Sequence, residues 1–215
     1  MTNTKIHKIG DSYPFYRFLN KQNDSYLYFP EISLIIVSAL SYVYWPVGVK
    51  GFENWLLLAI WTFIAGSLVS LAVTNMKYLL LPDSMLKPLL VSVVFYVLTA
   101  AALASQAQTA SAGDILLKSL IGGLVLGGLP YILFQVSAGR WIGGGDVKLG
   151  FIVGLLLGWK LGLIALLISF LFTIFIFFIV GVTQYRLPSK AQVIPTGFIW
   201  TLVATGTFIF GNYFF

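Results

Sequence analysis

From residue 32 onward the chain is a series of long apolar runs separated by short polar breaks. A helix needs about 20 apolar residues to cross the hydrocarbon core of a bilayer. Runs of this kind predict spans at roughly 32–49, 54–74, 85–104, 115–137, 147–159, 161–183 and 195–213. The fifth run is short, and its boundary with the sixth is placed near Gly158-Trp159-Lys160. Membrane strands would alternate apolar and polar residues. These runs do not alternate, so the expected class is all-α: a polytopic helical membrane protein of about seven transmembrane helices. Residues 1–30 form a separate N-terminal segment, cytoplasmic or interfacial, and 31–215 form the transmembrane domain.

Composition narrows the class further. Of 215 residues, 59% are hydrophobic and only 9% are charged, and the mean hydropathy is +0.92. A soluble domain carries about a quarter charged residues, so a soluble enzyme, a disordered chain and a repeat solenoid are all excluded as readings. There is no cysteine, which removes disulfides and thiol-based metal sites. The net charge of +6 matters through its placement. With the N-terminus in the cytoplasm, that side holds Lys5, Lys8, Arg17, Lys21, Lys77, Lys87, Arg140, Lys148, Arg186 and Lys190, and the opposite side holds Lys50, Lys118 and Lys160. The asymmetry agrees with the positive-inside rule. Residues 1–30 lack the continuous apolar core of a signal peptide. Their aromatics, among them Tyr13, Phe15, Tyr16 and Tyr28, suit the headgroup level of a bilayer; a flexible polar tail is the other reading.

Small residues recur at helix-packing spacing. Gly150, Gly154 and Gly158 lie four apart, as do Gly123 and Gly127, and Gly66 and Ser70. Small faces let helix backbones approach closely in lipid, so each set predicts a tight helix–helix contact.

The candidate chemistry is sparse. The acidic residues are Asp11, Asp24, Glu31, Glu53, Asp83, Asp114 and Asp146. His7 is the only histidine and the carboxylates are scattered, so no metal site is expected. Asp146 follows Gly143-Gly144-Gly145, an irregular backbone at a membrane edge that is tolerated beside protein or an aqueous cavity. An ionisable residue there is a functional candidate; the alternative is that it caps the fifth span and pairs with Lys148. Asp83 follows Pro82 and reads as the N-cap of the third span.

Gly143-Gly144-Gly145-Asp146-Val147-Lys148-Leu149 resembles the GxGD motif of type IV prepilin peptidases, which are membrane aspartyl proteases. Thr74 to Asp83, ending in Leu81-Pro82-Asp83, is similar to that family's other signature, in which a catalytic aspartate stands eight residues before the aspartate of a Pro-Asp pair. Ile194-Pro195-Thr196-Gly197-Phe198 resembles the family's Ile-Pro-Phe-Gly-Pro, with two departures, and Tyr28-Phe29-Pro30-Glu31 is similar to its Arg-Tyr-Pro-x-x-Glu stretch. The resemblance covers roughly residues 26–215. The family's usual first span and its loop with paired Cys-x-x-Cys motifs have no counterpart.

The resemblance implies an endopeptidase of the bacterial inner membrane that removes the basic leader of type IV prepilins or pseudopilins, with lipid as its solvent and no nucleic-acid partner. It implies Asp146 as one catalytic carboxylate. The other catalytic position holds Asn75, which keeps the shape of an aspartate but cannot ionise, so the chain as written is expected to be inactive. An engineered trap and a natural pseudoenzyme both account for it. Gly143, Gly145, Lys148, Pro82, Asp83, Pro195 and Gly197 are expected to support the site or the substrate. Proteolysis of this type needs no cofactor. Many members of the family also methylate with S-adenosylmethionine, but no nucleotide-type glycine loop is identifiable here, and methylation is not assigned. The competing classes are a non-catalytic prepilin-binding assembly factor and a secondary transporter, whose broken helices bind ions. The transporter reading lacks an internal repeat. A presenilin-type GxGD protease would carry a Tyr-Asp pair, which does not occur.

Overall fold

The computed structural model describes residues 29–45, 51–78, 81–139, 142–183 and 196–214. Among these residues six helical elements follow one another: α1 (Phe29–Val43), α2 (Phe52–Tyr78), α3 (Asp83–Gln106), α4 (Ala112–Ser137), α5 (Gly144–Thr183) and α6 (Thr196–Phe214). No strand occurs among the described residues. Phe52–Asn75, Asp83–Gln106, Ala112–Ser137 and Gly144–Ile176 are long and apolar enough to cross a membrane. The protein is an all-α polytopic membrane protein. The N-terminal segment lies outside the described residues except for Phe29 and Pro30, which open α1.

The fifth and sixth expected spans are the two arms of α5. The element is broken at Gly158, where φ is 69° and ψ is 179°. That region of backbone space is open essentially to glycine alone. Gly150 in the first arm rests on the backbone oxygen of Leu126, and Gly162 in the second arm rests on the side chain of the same leucine. The second arm therefore doubles back along α4 instead of running on past its start, where Gly158 meets Lys118.

The core is a seam of aliphatic side chains that every helix shares. Ile64, Leu68 and Leu71 from α2, Leu89 and Val93 from α3, Leu126 from α4, and Leu149 and Val153 from α5 are almost completely buried. Outer positions such as Val91, Val136, Phe170 and Phe178 are exposed, as lipid-facing residues are in a membrane helix bundle. Trp61 fastens α2 to two neighbours at once. Its Nε1–H donates to Ser41 Oγ of α1 at 2.7 Å, and its ring stacks on Phe208 of α6 with centroids 3.7 Å apart.

The glycine faces divide. Gly150 and Gly154 meet the α4 backbone, Gly158 approaches Lys118, and Gly123 and Gly127 receive Phe151 and Leu155, as their spacing predicts. Gly66 and Ser70 instead line an open groove of about 890 Å³ between α2 and α3, together with Ala59, Ser67 and Pro88. Met85 and Pro88 of α3 stand on the far side of that groove from the small α2 face.

Candidate active site

Three segments that are far apart in sequence meet at one end of the bundle: the end of α2, the start of α5 and the start of α6. Leu81 is the hub. A Cβ placed on Gly145 would lie 2.7 Å from Leu81 Cβ, and one placed on Gly197 would lie 3.0 Å from both Leu81 Cδ1 and Asn75 Cγ. Only glycine allows these approaches. Two of the expected support residues are thereby explained: Gly145 and Gly197 let the backbones of α5 and α6 close on Leu81.

Asn75 sits on the inner face of α2 near its end and is only 5% exposed. Its Oδ1 accepts the Phe198 N–H at 3.0 Å. That N–H belongs to the first turn of α6, whose amides have no partner within the helix. Residue 75 therefore takes up a donor that would otherwise be buried and unsatisfied. The same helix end carries positive partial charge, a setting that suits a carboxylate as well as an amide. The neighbouring Thr74 Oγ1 contacts Met85 Sδ at 3.7 Å, which ties this end of α2 to α3.

Asp146 is the third residue of α5 and is partly buried. Its Oδ2 accepts the Gly143 N–H at 3.3 Å. This is the carboxylate half of a capping box, in which the N3 side chain reaches back to the N-cap amide. Gly143 is the N-cap, and its carbonyl accepts the N–H groups of Asp146 and Val147. The capping role expected for Asp146 is thus present in this reversed form.

Two expectations are corrected. Asp83 is not the N-cap of α3: Pro82 holds that position in extended backbone, with φ −72° and ψ 135°, and Asp83 is the first helical residue. Lys148 does not pair with Asp146. Its Nζ donates to both carboxylate oxygens of Asp83, at 2.6 and 2.7 Å. Residues two apart on a helix do not face each other, so Lys148 turns away from Asp146 and across to α3.

Asn75, Pro82, Asp83, Gly143, Gly145, Asp146, Lys148 and Gly197 thus gather at one end of the bundle. Pro195, Lys190 and Arg186 lie outside the described residues, and so do Arg140 and Trp141. No group of three metal-ligating side chains occurs among the described residues. Sequence reasoning did not single out Leu81 as a packing hub or the Phe198 amide as the partner of residue 75. The Leu-Pro-Asp and Pro-Thr-Gly-Phe motifs marked the right segments, but their roles are contacts between distant parts of the chain.

A family model described as the type IV leader peptidase family matches residues 56–179. No curated protein and no solved structure is matched by the chain.

Proposed function

The chain belongs to the type IV leader peptidase family, and from that premise we propose that its fold is built to cut the basic leader from type IV prepilins or pseudopilins by aspartyl chemistry, with residue 75 and Asp146 as the catalytic pair. The observation that carries this reading is the meeting of α2, α5 and α6 around Leu81, which brings Asn75 and Asp146 to one end of the bundle. That end is the cytoplasmic one by the distribution of basic residues. It suits a single-span substrate of the bacterial inner membrane whose leader lies in the cytoplasm. The reaction draws on water and the two side chains alone, with no cofactor.

In aspartyl hydrolysis one carboxylate takes a proton from water as its oxygen attacks the scissile carbonyl. The other gives its proton to the carbonyl oxygen, and the tetrahedral centre then collapses as the leaving amine gains a proton and the C–N bond breaks. Two adjacent carboxyl groups sharing one proton supply both roles. An amide at position 75 can hold a hydrogen bond but cannot accept or relay that proton. The chain with Asn75 is therefore inactive in hydrolysis while still able to seat a substrate.

The test is cleavage of a prepilin peptide with a basic leader, in detergent or liposomes. Asn75→Asp should create activity, and Asp146→Asn in that background should abolish it. Removing both carboxylates should be little worse than removing one, since the pair acts as a unit. An inert Asn75→Asp variant across several prepilins would refute the dyad. A second reading is a binding role without cutting, favoured by the intact hydrogen bond from Phe198 to Asn75. Capture of prepilin by the parent chain together with inertness of Asn75→Asp would select it.

A further inference from the structure

We infer that Asp83 and Lys148 are positioning residues, an ion-pair clamp that holds the first turn of α5, and with it Asp146, in register with residue 75. This rests on the aspartyl reading above. The pair joins positions 65 apart in sequence, with both Asp83 oxygens accepting from one Lys148 ammonium at 2.6 and 2.7 Å. Lys148 follows Asp146 by two residues and stands one residue past the turn that the Gly143 carbonyl closes through the Asp146 and Val147 amides.

The clamp has a second point. Leu81, two residues before Asp83, presses on Gly145 and on Gly197, and Gly197 presses on Asn75. Both anchors therefore come from the stretch Leu81-Pro82-Asp83, where Pro82 is fixed in extended backbone. One short rigid stretch grips the α5 start at Gly145 by packing and at Lys148 by charge, and the same stretch borders Asn75. Removing the charge contact leaves this turn held to the Leu81-Pro82-Asp83 stretch by the packing at Gly145 alone.

The alternative is that the pair merely stabilises the fold. Its two side chains are 55% and 56% exposed, and exposed pairs contribute little to net stability. Loss of the clamp should therefore appear in the geometry of Asp146 more than in melting. Small misplacements of a catalytic group are costly in rate, about 100-fold for 1 Å.

The experiment uses the full chain carrying Asn75→Asp as parent. Asp83→Asn and Lys148→Gln should each lower kcat on a prepilin peptide by roughly 10- to 100-fold, with KM and melting temperature near the parent values. The charge swap Asp83→Lys with Lys148→Asp should recover most of the lost kcat, which a purely steric role would not produce. Hydrogen exchange gives a second readout. The Asp146 and Val147 amides should exchange faster in each single variant and return toward the parent in the swap. Single variants with parent kcat, a swap no better than the singles, or unchanged exchange at these amides would each overturn the clamp. Exchange can be read without activity. An inert parent would therefore refute the proposed function, while the clamp would still be decided by the amides.

Discussion

Gly154→Ala tests the packing of α5 on α4 at its closest point. An alanine Cβ at 154 would stand 2.2 Å from the Gly122 backbone oxygen, 2.5 Å from its carbonyl carbon and 2.8 Å from Gly123 Cα. A carbon normally comes no nearer to a carbonyl oxygen than about 3.3 Å, so the helices must part by roughly 1 Å at this crossing. No flexible side chain can yield instead, because every atom it meets is backbone. Overpacking of this kind costs about 1–3 kcal/mol, and the upper end applies because parting the helices also loosens Gly150 on Leu126 and Gly127 on Phe151. The gain in helix propensity from glycine to alanine offsets about 1 kcal/mol. The net loss is about 2 kcal/mol, which for a chain of this size lowers the melting temperature by roughly 4–8 °C. Gly128→Ala is the control: its Cβ would meet nothing within 4 Å, so only the propensity gain acts. Thermal unfolding in one detergent compares the two. Equal melting of Gly154→Ala and Gly128→Ala would refute the packing argument.

Further predictions concern single contacts and are read by the same melting assay. Ser41→Ala should cost about 1–3 kcal/mol, because it leaves the Trp61 Nε1–H buried without its acceptor; adding Trp61→Phe should recover the hydrogen-bond part of that loss. Ala138→Gly should stabilise by about 1 kcal/mol, since Ala138 ends α4 at φ 49° and ψ 42°, where a Cβ is unfavourable. Asn75→Leu should cost about 1–3 kcal/mol by orphaning the Phe198 amide, whereas Asn75→Asp should stay close to the parent because an oxygen acceptor is kept. Lys118→Ala, which removes an exposed i,i+4 pair with Asp114, should change stability by about 0.5 kcal/mol or less.

The class of fold was legible because a bilayer imposes it locally. Long apolar runs have few alternatives to helices, and the Gly150–Gly154–Gly158 spacing marks one helix face whatever the partner is. Even the break in α5 was placed near Gly158, since Trp159-Lys160 interrupts the apolar run. The partners themselves were not legible. Gly122 is the residue most tightly met by Gly154, yet Gly123 and Gly127 are the only glycines of α4 that stand four apart. The groove beside Gly66 and Ser70 has the same small-residue pattern as the α4–α5 contact, and the pattern alone does not say which helix stands across from it. Asp83 reads as a cap in the sequence because a cap and a first helical residue differ by one position. Its true partner, Lys148, is reached only once α3 and α5 lie side by side.

The environment of Asn75 separates what the fold asks of residue 75 from what the proposed chemistry asks of it. The structural demand on residue 75 is a single acceptor for the Phe198 amide, in a space bounded by Gly197. Asparagine and aspartate both meet that demand with the same oxygen and nearly the same volume. The demand of the proposed hydrolysis is a group that gains and loses a proton, and of the two only aspartate meets it. The two demands separate at this position because the helix end of α6 needs an acceptor whether or not hydrolysis takes place. At Asp146 they are separable as well: the capping bond from Gly143 needs an oxygen acceptor, which asparagine also carries. A variant with amides at both positions should therefore keep the fold of the site, and in the proposed mechanism the loss of cleavage would then trace to the missing carboxyl proton instead of to collapse of the bundle.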